Sequence, residues 1–190
     1  MVPPLGHVRA PPRPRPSERA VVEATARHLE AQGYRTRIDP DGTNYFDLVA
    51  RRGDEVGLVE AKVADSRAVL TQALVRRAWG DWVAVVIASR RSALALAERS
   101  RGTRAEPVGV WWCEGGGVEV VRAARPWVAP GAEDPYAPLR AQFRRVLDAL
   151  DRGDVPEGLS WSGVPRTVRR ASGGRGFREW RLDEPRDGDP

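Results

Sequence analysis

The sequence predicts an α/β sandwich in which helices pack on a mixed β-sheet, and three observations carry this. An amphipathic segment comes first, three strand-like segments with short turns between them follow, and a second helical segment leads into a wholly apolar strand. Strands joined by tight turns pair antiparallel, whereas a strand reached through a helix can return parallel, so this order implies both kinds of pairing. A length of 190 residues allows one core of ordinary size with flanking segments, and hardly two domains.

Each element has a local reason. Ser17, the alanine- and valine-rich stretch to Gln32, and Gly33 read as N-cap, helix and glycine stop, with Val21, Val22, Thr25, Ala26 and Leu29 facing inward. Residues 34–39 alternate like an edge strand, and Pro40-Asp41-Gly42 is a turn. Two strands follow at residues 46–51 and 56–63, joined through Arg52-Gly53-Asp54-Glu55. Residues 66–79 read as a second helix with Leu70, Ala73, Leu74 and Ala78 apolar, and residues 82–88 as a fully buried strand. A short helix at 92–99 and a hairpin built from 107–113 and 118–121 around Gly115-Gly116-Gly117 complete the central body.

The organisation expected is a disordered Pro/Arg-rich arm at 1–17, a core at 18–125, a linker at 126–138 marked by Pro126, Pro130, Pro135 and Pro138, and a C-terminal segment at 139–190. That segment begins with an amphipathic helix whose stripe of Leu139, Phe143, Val146, Leu147 and Leu150 must pack on something. Beyond it, Ser162 and Pro165 offer a helix start, and Gly173-Gly174 a hairpin tip. A winged-helix-like ending is one reading, in which Arg166, Arg169, Arg170, Arg175 and Arg178 grip backbone phosphate. A basic tail or a dimer-contact segment are the others.

Charge and composition narrow the function classes. The net charge of +5 is concentrated in the two ends, and residues 20–159 are neutral in sum. A polyanion footprint is therefore expected in the arms. The apolar run at 82–88 is far too short to span a bilayer, no leader is expected, and a reducing cytoplasm fits a chain whose only cysteine is Cys113. With two histidines, His7 and His28, beside that cysteine, a zinc cage is disfavoured.

Lys62 is the only lysine among the 31 basic residues. A compact ammonium whose pKa responds to burial cannot be exchanged for the broad, always charged guanidinium, so a site that requires lysine retains it. If Arg51 and Val56 close the turn, Val49 faces Leu58 and Asp47 faces Glu60, with Lys62 two residues on and on the same face. Opposed Cβ atoms lie about 4.5–5.5 Å apart, where two carboxylates repel. A hard cation, Mg²⁺ or Mn²⁺, satisfies both, with the main-chain carbonyl of Ala61 as a third ligand. The duller reading of Glu-x-Lys alone is a solvated strand face with a cross-strand ion pair. The tryptophans at 79, 82, 111 and 112 read as packing residues, with base stacking as their alternative use.

The stretch Asn44-Tyr45-Phe46-Asp47-Leu48-Val49-Ala50, then Leu58-Val59-Glu60-Ala61-Lys62, then Gln72 on the next helix, resembles the PD-(D/E)xK phosphodiesterase superfamily. It is closest in pattern to bacterial members in which a glutamine and an arginine follow on that helix, as Gln72 and Arg76 or Arg77 do. The likeness covers roughly residues 18–122, and Phe46 stands where the motif's proline is expected. The resemblance implies a restriction-endonuclease-like αβββαβ core and a metal-dependent nuclease, with DNA the favoured substrate. Asp47 and Glu60 would then bind the metal, Lys62 would orient or activate water, and Gln72 would position metal, water or phosphate. Glu23 would correspond to an acid that some members add from the first helix, although Glu23 and Arg27 at i+4 also make a plain helix pair. Superfamily members often dimerise, so a homodimer is a further expectation. The competing class is a module without catalysis that uses the same scaffold to bind nucleic acid or a protein.

Overall fold

The structure, a computed structural model, describes residues 16–38, 46–64, 67–129 and 131–153. The N-terminal arm, the Pro40-Asp41-Gly42 turn, and the 159–182 segment with Arg166, Arg169, Arg170, Arg175 and Arg178 lie outside the described residues.

Four helices and six strands follow one another as α1 (Glu18–Glu30), β1 (Arg35–Ile38), β2 (Leu48–Arg52), β3 (Glu55–Lys62), α2 (Arg67–Arg76), β4 (Trp82–Ile87), α3 (Arg90–Arg99), β5 (Gly109–Glu114), β6 (Gly117–Arg122) and α4 (Ala137–Arg152). The strands lie in the sheet in chain order. β1, β2 and β3 form an antiparallel meander, β3, β4 and β5 run parallel, and β6 returns antiparallel on β5. The chain is thus α/β with a mixed sheet.

Local chemistry accounts for the boundaries. Ser17 caps α1 by accepting the Ala20 N–H at 3.1 Å. α2 ends at Arg76, three residues earlier than its apolar pattern implies, and Trp79 N–H closes a turn onto the Arg76 carbonyl. α3 begins two residues earlier than expected because Ser89 accepts the Ser92 N–H and serves as the cap. Between β2 and β3, Arg52 and Glu55 also pair, which shortens the connection to Gly53-Asp54. Gly53 takes φ 59°, the left-handed region that a two-residue hairpin loop asks for and that glycine enters without steric cost. The added rung leaves the expected register intact, with Val49 opposite Leu58.

Alternation along the strands divides the core into two layers. On one face, Leu48, Ala50, Val59, Ala61, Ala84, Val86 and Trp111 pack against Val21, Val22, Ala26 and Leu29 of α1. On the other, Val49, Leu58, Val83, Val85 and Val110 pack against α2, α3 and α4. Both crossovers, β3–α2–β4 and β4–α3–β5, advance in the same direction along the sheet, and the fixed hand of such connections then places both helices on one face. At the β3/β4 boundary Gly57 allows the Trp82 ring to lie on the strand, since a Cβ there would stand 2.0 Å from that ring.

The amphipathic C-terminal helix joins this same second layer. Phe143 and Leu147 of α4 are fully buried in it, and Phe143 packs 5.4 Å from Phe46 and 6.1 Å from Trp79, centroid to centroid. Arg144 donates two hydrogen bonds to Asp81, at 2.7 and 2.9 Å, and Arg140, 5 % exposed, donates to the Arg77 carbonyl. No helix among the described residues is long and apolar enough to cross a membrane.

Candidate functional site

β3 carries Glu60 and Lys62 on the layer shared with α2, and the end of β3 brings Asp47 to them. Asp47 lies in the bend just before β2, and its Oδ2 accepts the Ala61 N–H at 2.8 Å. β2 has no residue in the ladder at that rung, so the carboxylate takes the N–H that a longer strand would have paired. Strand alternation turns the Ala61 carbonyl toward the same side.

Lys62 stands at the centre of a group of carboxylates. Its Nζ lies 2.8 Å from Glu18 Oε1, 3.2 Å from Glu60 Oε1 and 3.7 Å from Asp47 Oδ2. Arg76, from the inward face of α2, approaches the other Glu60 oxygen at 2.7 Å. That approach is an ion pair without hydrogen-bond geometry, so Oε2 is buried and compensated in charge but accepts no hydrogen bond. Among the described residues the cluster sets the carboxyl groups of Glu18, Asp47 and Glu60 against the two cations Lys62 and Arg76.

Burial has the largest effect on the electrostatics. Glu60 is 2 % exposed, and burial lifts its carboxyl to about 7; Arg76 and Lys62 pull it down, while Asp47 pushes it further up. Burial also works against the Lys62 ammonium, but Glu60, Glu18 and Asp47 together outweigh it and raise its pKa. Lys62 is therefore a fixed cation at neutral pH.

Asp47, Glu60 and Lys62 thus come together. Gln72 lies on the inward stripe of α2 with Val69, Ala73 and Arg76, and its Oε1 is buried without a hydrogen-bond partner among the described residues. Glu23 is elsewhere: it pairs with Arg19 at 2.7 Å on the exposed side of α1, and not with Arg27. The acid that α1 sends to Lys62 is Glu18, in its first turn.

Comparison with protein-family models, curated proteins and solved structures finds no match. The geometry alone therefore carries the functional reading.

Glu18 escapes the sequence reading of the site, and Arg76, which that reading names after Gln72 with Arg77 as its alternative, is given no contact there. Glu18 looks like an acid placed to suit the helix dipole, and nothing local separates that role from a longer reach. Arg76 did leave a signal, because Val69, Gln72, Ala73 and Arg76 repeat at i, i+3, i+4 and i+7, which puts two polar residues on a stripe that faces the sheet.

The donor set suits a hard cation. Among the described residues no three His, Cys, Asp or Glu side chains stand so as to enclose an ion by themselves. Mg²⁺ does not need such a cage, since it is commonly held by one or two carboxylates with water and phosphate oxygens filling the rest. Two oxygens of the right chemistry, Gln72 Oε1 and Glu60 Oε2, are buried without hydrogen bonds among the described residues, the second in an ion pair with Arg76.

Proposed function

We propose that this chain is a metal-dependent nuclease of the PD-(D/E)xK type, with a restriction-endonuclease-like core, that hydrolyses phosphodiester bonds, DNA being the favoured substrate. The observation that carries this reading is the meeting of Asp47, Glu60 and the chain's only lysine within 3.7 Å of one Nζ, at an end of the sheet where strands β3, β4 and β5 all finish.

Asp47 and Glu60, with the Ala61 carbonyl, would hold Mg²⁺ or Mn²⁺. Such an ion lowers the pKa of bound water and offsets charge that gathers on the phosphate. The chain's own groups supply the remainder. Lys62, protonated through the carboxylates around it, favours the negative charge of the transition state and orients a water by donating to it. Its raised pKa speaks against a role as proton acceptor. Arg76 pulls the Glu60 carboxyl back down against the larger effect of burial, and Gln72 Oε1 offers an acceptor that nothing else among the described residues uses.

One observation favours the competing reading, a module without catalysis. Lys62 already satisfies three carboxylates, so the cluster also makes sense as a closed structural knot. A cleavage screen in Mg²⁺ and Mn²⁺ over plasmid, single-stranded and branched DNA and RNA separates the two. Metal-dependent cutting is expected, with Lys62→Ala and Asp47→Asn lowering it by at least about 10²-fold. Asparagine at 47 can still accept the Ala61 N–H, so its loss of activity reads as chemistry, whereas Asp47→Ala also removes that bond. A wild-type protein inert on every substrate would sink the nuclease reading and leave the closed knot.

A further inference from the structure

We propose that Arg90 and Arg91, with Trp112 beneath Arg90, form a subsite for the phosphodiester backbone of a nucleic acid beside the Asp47–Glu60–Lys62 cluster. The choice of ligand rests on the nuclease reading of that cluster, while the claim itself concerns binding and not cleavage.

The parallel pairing of β3, β4 and β5 aligns Lys62, Ile87 and Trp112 in one row across the sheet. All three point to the layer of α2 and α3, as the burial of Leu58, Val83, Val85 and Val110 in that layer requires. Neighbouring strands are about 4.8 Å apart, which places Trp112 about 10 Å from Lys62 along the rim. The next turn of chain brings in the arginines. Ala88 N–H donates to the Lys62 carbonyl at 3.1 Å, Ser89 caps α3, and Arg90 and Arg91 are its first residues.

Arg90 and Arg91 are exposed, and neither is in an ion pair with a described residue. Some surface arginines do pair, as Arg19 does with Glu23 and Arg125 with Glu106, and others, such as Arg104 and Arg145, do not. Glu119 stands across from Trp112 on β6 and pairs with neither arginine. Nor does helix stability explain them. Two cations in the first turn of α3, with no acid there, oppose the helix's own field. Their placement makes sense if an anion arrives from outside.

Trp112 gives the pair a fixed direction. The Arg90 guanidinium lies 5.8 Å from the centroid of the Trp112 ring, a cation–π contact that restricts a side chain otherwise free to rotate. A held guanidinium loses less entropy on binding phosphate in its two-pronged manner. Measured along a B-form strand, about 10 Å is two to three nucleotides. Nucleic acid would then run along the rim from β3 toward β5, with the backbone held a short distance from the bond to be cut.

The test is fluorescence anisotropy of the full chain with a labelled 24-base-pair duplex of mixed sequence, and with its single strand, in EDTA over a range of salt. Arg90→Gln/Arg91→Gln should lower the slope of log K against log salt by about 2, at about 0.9 per phosphate contact, and weaken binding at 0.1 M salt by on the order of tenfold or more. The lysine pair Arg90→Lys/Arg91→Lys should restore most of that slope, Trp112→Ala should weaken binding less than the glutamine pair, and Trp112→Phe should retain it. Arg104→Gln, an exposed arginine past the far end of α3, should match the wild type. An unchanged slope in the glutamine pair, an equal loss in Arg104→Gln, or a wild type that binds neither probe would overturn the inference. The two readings fail separately. A protein that never cuts but loses slope in the glutamine pair keeps the subsite and loses the nuclease; one that cuts with Mg²⁺ while that pair binds as wild type does the reverse.

Discussion

Glu60 lies between Lys62 and Arg76 with 2 % of its surface exposed, and even so its carboxyl titrates near 7. Burial takes away more of the charged form's favour than the two cations return. The sign of the consequence is definite. The folded chain holds this proton more tightly than the unfolded chain, in which the group titrates near 4.5, so the contribution to stability is whole below about pH 4.5 and is lost as pH rises through about 7. In EDTA, the unfolding free energy of the wild type minus that of Glu60→Gln should therefore fall by about 3 kcal/mol between pH 4.5 and 8, read by urea titration at each pH. Added Mg²⁺ should recover part of that loss at pH 8 and little at pH 5. A flat difference would mean that Glu60 is as well compensated in charge as an exposed acid. Asp47, Glu60 and Lys62 were legible in the sequence because strand register is local: one turn sets the pairing, and period two does the rest. Glu18 was not, because its meeting with Lys62 spans 44 positions and depends on where α1 crosses the sheet.

At the scale of elements, the bond between α4 and the sheet is the one most exposed to a single change. Asp81 accepts the Val56 N–H at 2.7 Å, receives two bonds from Arg144, and has Arg140 3.7 Å away. Asp81→Ala leaves a strand N–H and two arginines without that partner. Since Asp81 is about a quarter exposed, the expected cost is about 2 kcal/mol, and not the larger figure of a fully buried pair. Urea unfolding would measure it, and a change under about 0.5 kcal/mol would show that Asp81 adds little to the packing of Phe143 and Leu147 and to the pairing of Asp148 and Asp151 with Arg51 and Arg37. Strands and most helix boundaries were readable because caps, turns and alternation act over a few residues. The start of α3 was not read correctly because Ser89 and Ser92 are both credible caps, and only the backbone path out of β4 chooses between them.

For the whole molecule, α4 belongs to the core that holds the site. Phe143 packs on Phe46, the residue before Asp47, so the C-terminal helix braces the chain where the cluster is assembled. Deleting residues 160–190 should lower nucleic-acid affinity and its salt slope, since seven arginines are removed against five acids. Deleting 137–190 takes out Phe143 and Leu147 as well, and should cost on the order of 5 kcal/mol, enough to end cooperative unfolding in a calorimeter. Equal melting of both truncations would show that α4 is dispensable to the fold. The sequence by itself determined the mixed α/β architecture, the β2/β3 register and the nearness of Asp47, Glu60 and Lys62, because each follows from periodicity and turns within a few residues. Only the tertiary structure decided that Glu18 and not Glu23 meets Lys62, that Arg76 is buried against Glu60, and that α4 closes the core behind Phe46. Those contacts depend on how whole elements pack across the sheet, and packing is chosen by the shape and volume of side chains far apart in the chain, which no local pattern records.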